Sequence, residues 1–210
     1  MKAKSGTRTK KTDSIAPAIR ELERFFSVFN RKLYDGKLPK PVITIQTTGR
    51  RRALGWFCAN IWRAKEGEVP EINITAEELG RDVEDILETL LHEMVHLDNW
   101  TQGISDCSVQ QYHNKRFKVA CDKIGLNCER TKHGWSLTSL TPALKALIRA
   151  AKPQSAAFKM FRLSFLPGAK AASQGTRLKK WSCGCTNVRV AVADFDAVCN
   201  NCGGHFEECE

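Results

Sequence analysis

His92-Glu93-Met94-Val95-His96 constrains the fold more than any other stretch of this chain. It lies inside a helical pattern from about Asp82 to Trp100, in which Val83, Ile86, Leu87, Leu90, Met94 and Leu97 recur at helical spacing. Leu91 and Val95 widen that stripe, leaving His92 and His96 on roughly the opposite face. A helix so apolar is mostly buried, and its two histidines must face a cleft. Residues four apart share one helical face, so both imidazoles can hold a single Zn²⁺. Glu93 points about 100° round the helix from His92. From there its carboxylate can act as general base on water that zinc has acidified, without being a ligand. That is hydrolytic chemistry, most often aimed at a peptide bond.

A catalytic zinc needs a third protein ligand and an open position. A longer pattern with a Gly and a further His at fixed offsets is absent, because those positions hold Asn99 and Gln102. Asp98, Asp106 and His113 are the downstream candidates. Asp98 reads as the solvated end of the helix. His113 is the better choice, since it opens a second helical pattern through Val119, Ala120, Cys121 and Ile124, closed by Gly125. Tyr112 stands beside it as a candidate oxyanion donor.

The zinc motif followed after a gap by His113 and Phe117 resembles the SprT-like zinc metallopeptidases, relatives of the Spartan proteases. Phe29-Asn30-Arg31-Lys32-Leu33-Tyr34-Asp35-Gly36-Lys37-Leu38-Pro39 is similar to that family's first helix and following turn. Ala53-Leu54-Gly55-Trp56-Phe57 and Glu71-Ile72-Asn73-Ile74 resemble two of its strands. The likeness runs from about residue 14 to 130. It implies a protein substrate positioned by DNA, as in digestion of DNA–protein crosslinks.

Cys183-Gly184-Cys185 and Cys199-Asn200-Asn201-Cys202 are separated by thirteen residues. Two close thiol pairs joined by a hairpin-length segment suit a tetrahedral Cys₄ structural zinc ribbon. Val188, Val190 and Val192 alternate with Arg189 and Ala191 at the period of a strand, and Gly203-Gly204 supplies a turn. A ribbon of this form resembles the one that follows the peptidase domain in several bacterial SprT-like proteins. The other five of the nine cysteines show no disulfide spacing, and Cys58 and Cys121 read as small core residues.

Charge is segregated. Residues 1–52 hold 14 Lys/Arg against 4 Asp/Glu, and residues 151–180 hold 7 basic residues and no acid. Between them the chain is near balance, so DNA contact is expected through basic flanks that include Arg50, Arg51, Arg52, Lys170, Arg177, Lys179 and Lys180. Phe158, Phe161 and Phe165 interleave with the second flank and suit either unstacked bases or docking on the core. Met1 to Asp13 is polar and basic, without the apolar centre of a secretory signal, and no apolar run reaches membrane length. The expected location is cytoplasmic or nucleoid-associated (nuclear in a eukaryotic host), not secreted.

The expected architecture is α+β, with a small sheet packed on the metal helix and a ribbon after it. A disordered basic tail is expected over 1–13, the peptidase domain over 14–150, a basic linker over 151–180 and the ribbon over 181–210. Strands are predicted at Val42 to Gln46, Leu54 to Trp62, Ile72 to Ile74 and Trp135 to Leu140. Helices are predicted from Ser14 and over Pro142 to Ala151, with a capping box at Thr75 and Glu78. The leading function is a zinc endopeptidase acting on DNA-associated protein. The other class that fits is a nucleic-acid-binding factor with structural zinc sites, for which Glu93 would have no use.

Overall fold

The computed structural model describes residues 14–47, 53–108, 110–163 and 178–209. The chain divides into two compact units, the first ending at Leu163 and the second beginning at Ser164. In the first, helix α1 (Ala16–Leu33) leads into strands β1 (Val42–Gln46), β2 (Gly55–Ala64) and β3 (Gly67–Thr75). Helices α2 (Val83–Thr101) and α3 (Lys115–Lys123) follow, then the hairpin β4 (Leu126–Thr131) and β5 (Gly134–Leu140), and helix α4 (Pro142–Ala150).

The central sheet has the order β1-β3-β2, with β1 parallel and β2 antiparallel to β3. Ile72 and Ile74 of β3 point to one face and are fully buried. Glu71, Asn73 and Thr75 point to the other and are nearly as enclosed. That second face stays polar because each of the three side chains has a partner, although the Asn73 Nδ2 amide has none among the described residues. Trp62 Nε1 donates to Glu71 at 2.7 Å, Thr44 Oγ1 donates to Asn73 Oδ1 at 2.9 Å, and Thr75 Oγ1 donates to the Ala53 carbonyl at 2.7 Å. Thr75 therefore does not cap the 3₁₀ turn Ala76–Glu78, and the predicted capping box does not form. Cys58 joins the polar face, half-buried and paired in register with Glu71, rather than the core.

The apolar core lies between α1, α2 and the sheet. Leu22, Phe25, Phe26 and Phe29 come from α1, and Ile86, Leu87, Leu90, Leu91, Met94, Val95 and Leu97 from α2. Each such side chain contributes about 1.5–3 kcal/mol on burial, so the core fixes α2 firmly and with it the metal motif. Glu84 and Asp85 in the first turn of α2 favour its positive end. Asn114 caps α3 by accepting the Arg116 N–H at 2.8 Å, and Thr141 with Pro142 opens α4.

Residues 151–163, the start of the expected linker, pack on the first unit. Glu21 is 4% exposed and holds this segment to α1: it takes both Arg24 Nε and Nη2, at 2.9 and 2.6 Å, and the Gln154 N–H at 2.8 Å. Burial raises the Glu21 carboxyl, but the Arg24 guanidinium and the Gln154 amide outweigh it and hold it below its ordinary value. Phe158 is buried in the core, whereas Phe161 and Leu163 are exposed. Phe165, Arg50, Arg51, Arg52, Lys170, Arg177 and residues 1–13 lie outside the described residues.

The second unit is a three-stranded sheet of β6 (Lys179–Ser182), β7 (Asn187–Val190) and β8 (Glu207–Cys209), ordered β7-β6-β8. Trp181 and Phe195 meet at 5.7 Å, and Phe195 meets Phe206 at 5.8 Å. Lys180 lies on β6 beside Lys179, whose ammonium pairs with Glu208 at 2.9 Å. Among the described residues no helix is long and apolar enough to cross a membrane.

Candidate metal centre

Three elements meet at the histidines. His92 and His96 project from one face of α2, as their spacing requires, and His113 approaches from the loop before α3. His113 is not itself helical. It is held as a β-bridge to Gly134 at the start of β5 and to Cys107 across the loop. Its N–H donates to the His133 carbonyl, and its carbonyl accepts the Trp135 N–H, both at 3.0 Å.

The ligand atoms of His92, His96 and His113 all lie within 4.8 Å of one another. His113 Nε2 is 3.2 Å from His92 Nε2 and 3.1 Å from His96 Nε2. The Phe117 ring lies against all three imidazoles, with centroids 4.6, 4.5 and 4.7 Å from His92, His96 and His113. Phe117 is fully buried, so it closes the apolar side of the cluster and fixes the ring planes.

The opposite nitrogens are tied to other groups. His96 Nδ1 lies 2.9 Å from Asp106 Oδ2, which also takes Asn99 Nδ2 at 2.8 Å. His113 Nδ1 lies 3.2 Å from the Gln111 carbonyl, and His92 Nδ1 lies 3.1 Å from Thr138 Oγ1. A carboxylate and a carbonyl only accept, so neutral His96 and His113 carry their proton on Nδ1, an assignment made from the partners. Their Nε2 atoms are then bare lone pairs facing each other with no proton to share. That is repulsive unless a cation sits among them, and it is the arrangement metal-binding histidines adopt. The residues fit a zinc ion.

Electrostatics agree. Burial pushes the His92 imidazole well below its usual value, and the charges of His96 and His113 push it the same way. Burial also carries His113 down to about 4. Unprotonated imidazoles are what a metal requires. Asp106 is raised by burial, but hydrogen bonds from His96 and Asn99 more than reverse this, so its carboxylate form is favoured. It stands behind His96, on its Nδ1 side, and outside the three-histidine cluster. Asp98 is outside the cluster, where its backbone carbonyl accepts Thr101 Oγ1 at 2.7 Å. Tyr112 is exposed, and its hydroxyl receives Arg130 Nη2 at 3.4 Å.

Glu93 is 5% exposed on the flank of α2 that meets β2. A side chain at Gly55 would bring Cβ to 2.7 Å from the Asn73 carbonyl and 3.3 Å from Glu93 Oε1, so only glycine lets β2 run this close. Burial lifts the Glu93 carboxyl to about 7, with His96 and the Phe57 backbone N–H opposing the rise and Asp106 adding to it.

A second cluster that could hold a metal is separate. The Sγ atoms of Cys183, Cys185, Cys199 and Cys202 lie within 4.8 Å of one another, with Cys185 3.4 Å from Cys183 and 3.6 Å from Cys199. All nine cysteines are free thiols. The backbone N–H groups of Cys202 and Asn201 hold the Cys199 thiol below its usual value, which favours the thiolate a metal binds.

Spacing along the sequence pointed to both clusters, but not to Thr138, Glu88 or Gly134. Thr138 lies 46 residues from His92, and a threonine in a predicted strand carries no chemical signal of its own. No curated protein and no solved structure matched the chain. The SprT-like family model matches residues 22–134, more than half of the 210. The chain belongs to the SprT-like family.

Proposed function

We propose that this protein is a zinc-dependent endopeptidase whose substrates are proteins held on DNA. The observation that carries the reading is the convergence of three imidazole Nε2 atoms, with Glu93 buried on the same helix one residue from His92. His92, His96 and His113 would hold the ion. Zinc, when bound, supplies Lewis-acid polarisation of a scissile carbonyl and of water. Glu93 would take the proton from the attacking water and pass it to the departing amine. The Phe57 backbone N–H and the close approach of β2 at Gly55 keep its carboxylate in one place. Cys183, Cys185, Cys199 and Cys202 would hold a second, structural zinc that replaces the apolar core so small a unit lacks.

The DNA part of the proposal rests on charge. Seven basic residues and no acid occupy 151–180, beside a near-balanced catalytic unit. DNA would then raise the local concentration of substrate and take no part in bond cleavage. The test is cleavage of one DNA-binding protein, with and without DNA, across a salt series. Phosphate contacts weaken steeply with salt, so DNA-stimulated cleavage should collapse between low and moderate ionic strength while zinc content holds. Cleavage equal with and without DNA at every salt concentration would reject the DNA-directed reading and leave a general zinc peptidase.

A further inference from the structure

We infer that Thr138 and Glu88 form a positioning relay that sets the tautomer and angle of His92 for metal binding, with the β4–β5 hairpin acting as a clamp on two of the three histidines. The inference rests on the proposed metal site and deepens it.

His96 and His113 have partners that only accept, so their tautomers are fixed locally. His92 does not. Its Nδ1 faces the Thr138 hydroxyl at 3.1 Å, and a hydroxyl can either donate or accept. Were Thr138 to donate, the His92 proton would move to Nε2 and point into the cluster, blocking the ion. The hydroxyl has only one proton, however, and it is directed at Glu88 Oε1. Glu88 as a carboxylate only accepts, so Thr138 must receive from His92 Nδ1–H, and His92 Nε2 is left bare. Glu88 lies one helical turn before His92 on α2, so the relay leaves α2, passes through β5 and returns to it.

The same hairpin grips His113 through the two backbone bonds from His133 and Trp135. One hairpin thus orients His92 by a side chain and His113 by its backbone. Thr138 lies beyond residue 134, where the family match ends.

The test uses the full chain. In zinc-free protein, ¹⁵N resonances of the imidazoles report the tautomer directly. Wild type should show His92 protonated on Nδ1, Thr138→Ser should keep this state, and Thr138→Val should shift His92 toward Nε2–H. Cobalt titration with chelator competition separates the two sites, because only the Cys₄ site gives thiolate charge-transfer bands. Loss of an outer partner typically weakens metal affinity about 10–100-fold, which is the effect expected of Thr138→Val at the histidine site. Thr138→Ser should rescue binding, and the Cys₄ site should not change. Glu88→Ala keeps the hydroxyl but removes its acceptor, so it should give mixed His92 tautomers and a loss near the tenfold end of that range. It also decides the matter if Thr138→Val fails to fold. Wild-type tautomer and affinity in both Thr138→Val and Glu88→Ala would overturn the relay. No metal at the histidines of wild type would instead overturn the metal site itself, while the tautomer measurement would still decide the relay.

Discussion

Gly134→Ala puts the junction between β5 and His113 under direct test. Gly134 has φ +79°, and a Cβ placed there would sit 2.0 Å from the His113 carbonyl oxygen. No rotamer relieves such an overlap, because both partners are backbone. A non-glycine residue at left-handed φ costs about 1–2 kcal/mol. The hairpin must also separate from His113, losing the His113–His133 and Trp135–His113 hydrogen bonds, each worth about 0.5–1.5 kcal/mol net. Together these give about 2–5 kcal/mol. For a chain of this size each kcal/mol lowers Tm by about 2–4 °C, so the first unit should melt at least about 4 °C lower. Differential scanning calorimetry reads the shift, with the zinc-loaded Cys₄ unit as internal control. Zinc affinity at the histidines should fall with it, since His113 loses its backbone anchor. A Tm within about 1 °C of wild type, with unchanged zinc affinity, would refute the clamp geometry.

Glu21→Gln should destabilise the first unit by about 1–3 kcal/mol at neutral pH, the range for a buried charged hydrogen bond. The native Glu21 carboxyl is held below its unfolded value. Its stabilisation is therefore complete above the ordinary carboxylate range and disappears as pH falls through the depressed native value. Urea midpoints of wild type and variant should accordingly differ at neutral pH and converge in acid; an equal gap at both would contradict the assignment. Cys199→Ser should remove one zinc per chain and the β6–β8 fold while the first unit keeps its thermal transition, read by metal analysis and calorimetry. Retention of both metals would transfer the site elsewhere.

Short-range periodicity made α2 legible, and the observed Val83–Thr101 differs from the expected span by a residue at each end. The two side-chain clusters that could hold a metal were legible for a related reason. Helical spacing brings His92 and His96 together, and paired cysteines announce a four-thiol site. What sequence spacing could not show was set by tertiary contact. β4 alternates only from Leu126 to Glu129, too short a run before the polar Arg130 and Thr131 to announce a strand, yet it pairs with β5 from Leu126 to Thr131. β3 extends back to Gly67 because its hairpin with β2 continues past the apolar Ile72 and Ile74. Thr75 looked like a helix cap, but its hydroxyl does more for the sheet by satisfying Ala53. Asp106 was legible as a candidate ligand, whereas its place behind His96 depends on a loop geometry that spacing does not encode.

Zinc content and peptide-bond hydrolysis, measured side by side on wild type and Glu93→Gln, bear most directly on the proposed chemistry. The substitution keeps shape and leaves His92, His96 and His113 untouched, so both proteins should carry two zinc ions per chain, one for each cluster. Only the proton acceptor is lost, and general-base catalysis contributes about 10²–10⁴-fold, so hydrolysis should fall by at least about 100-fold. Two zinc ions in both proteins with hydrolysis confined to wild type is the predicted result. Undiminished hydrolysis in Glu93→Gln, or a wild-type chain holding zinc only at its cysteines, would contradict it.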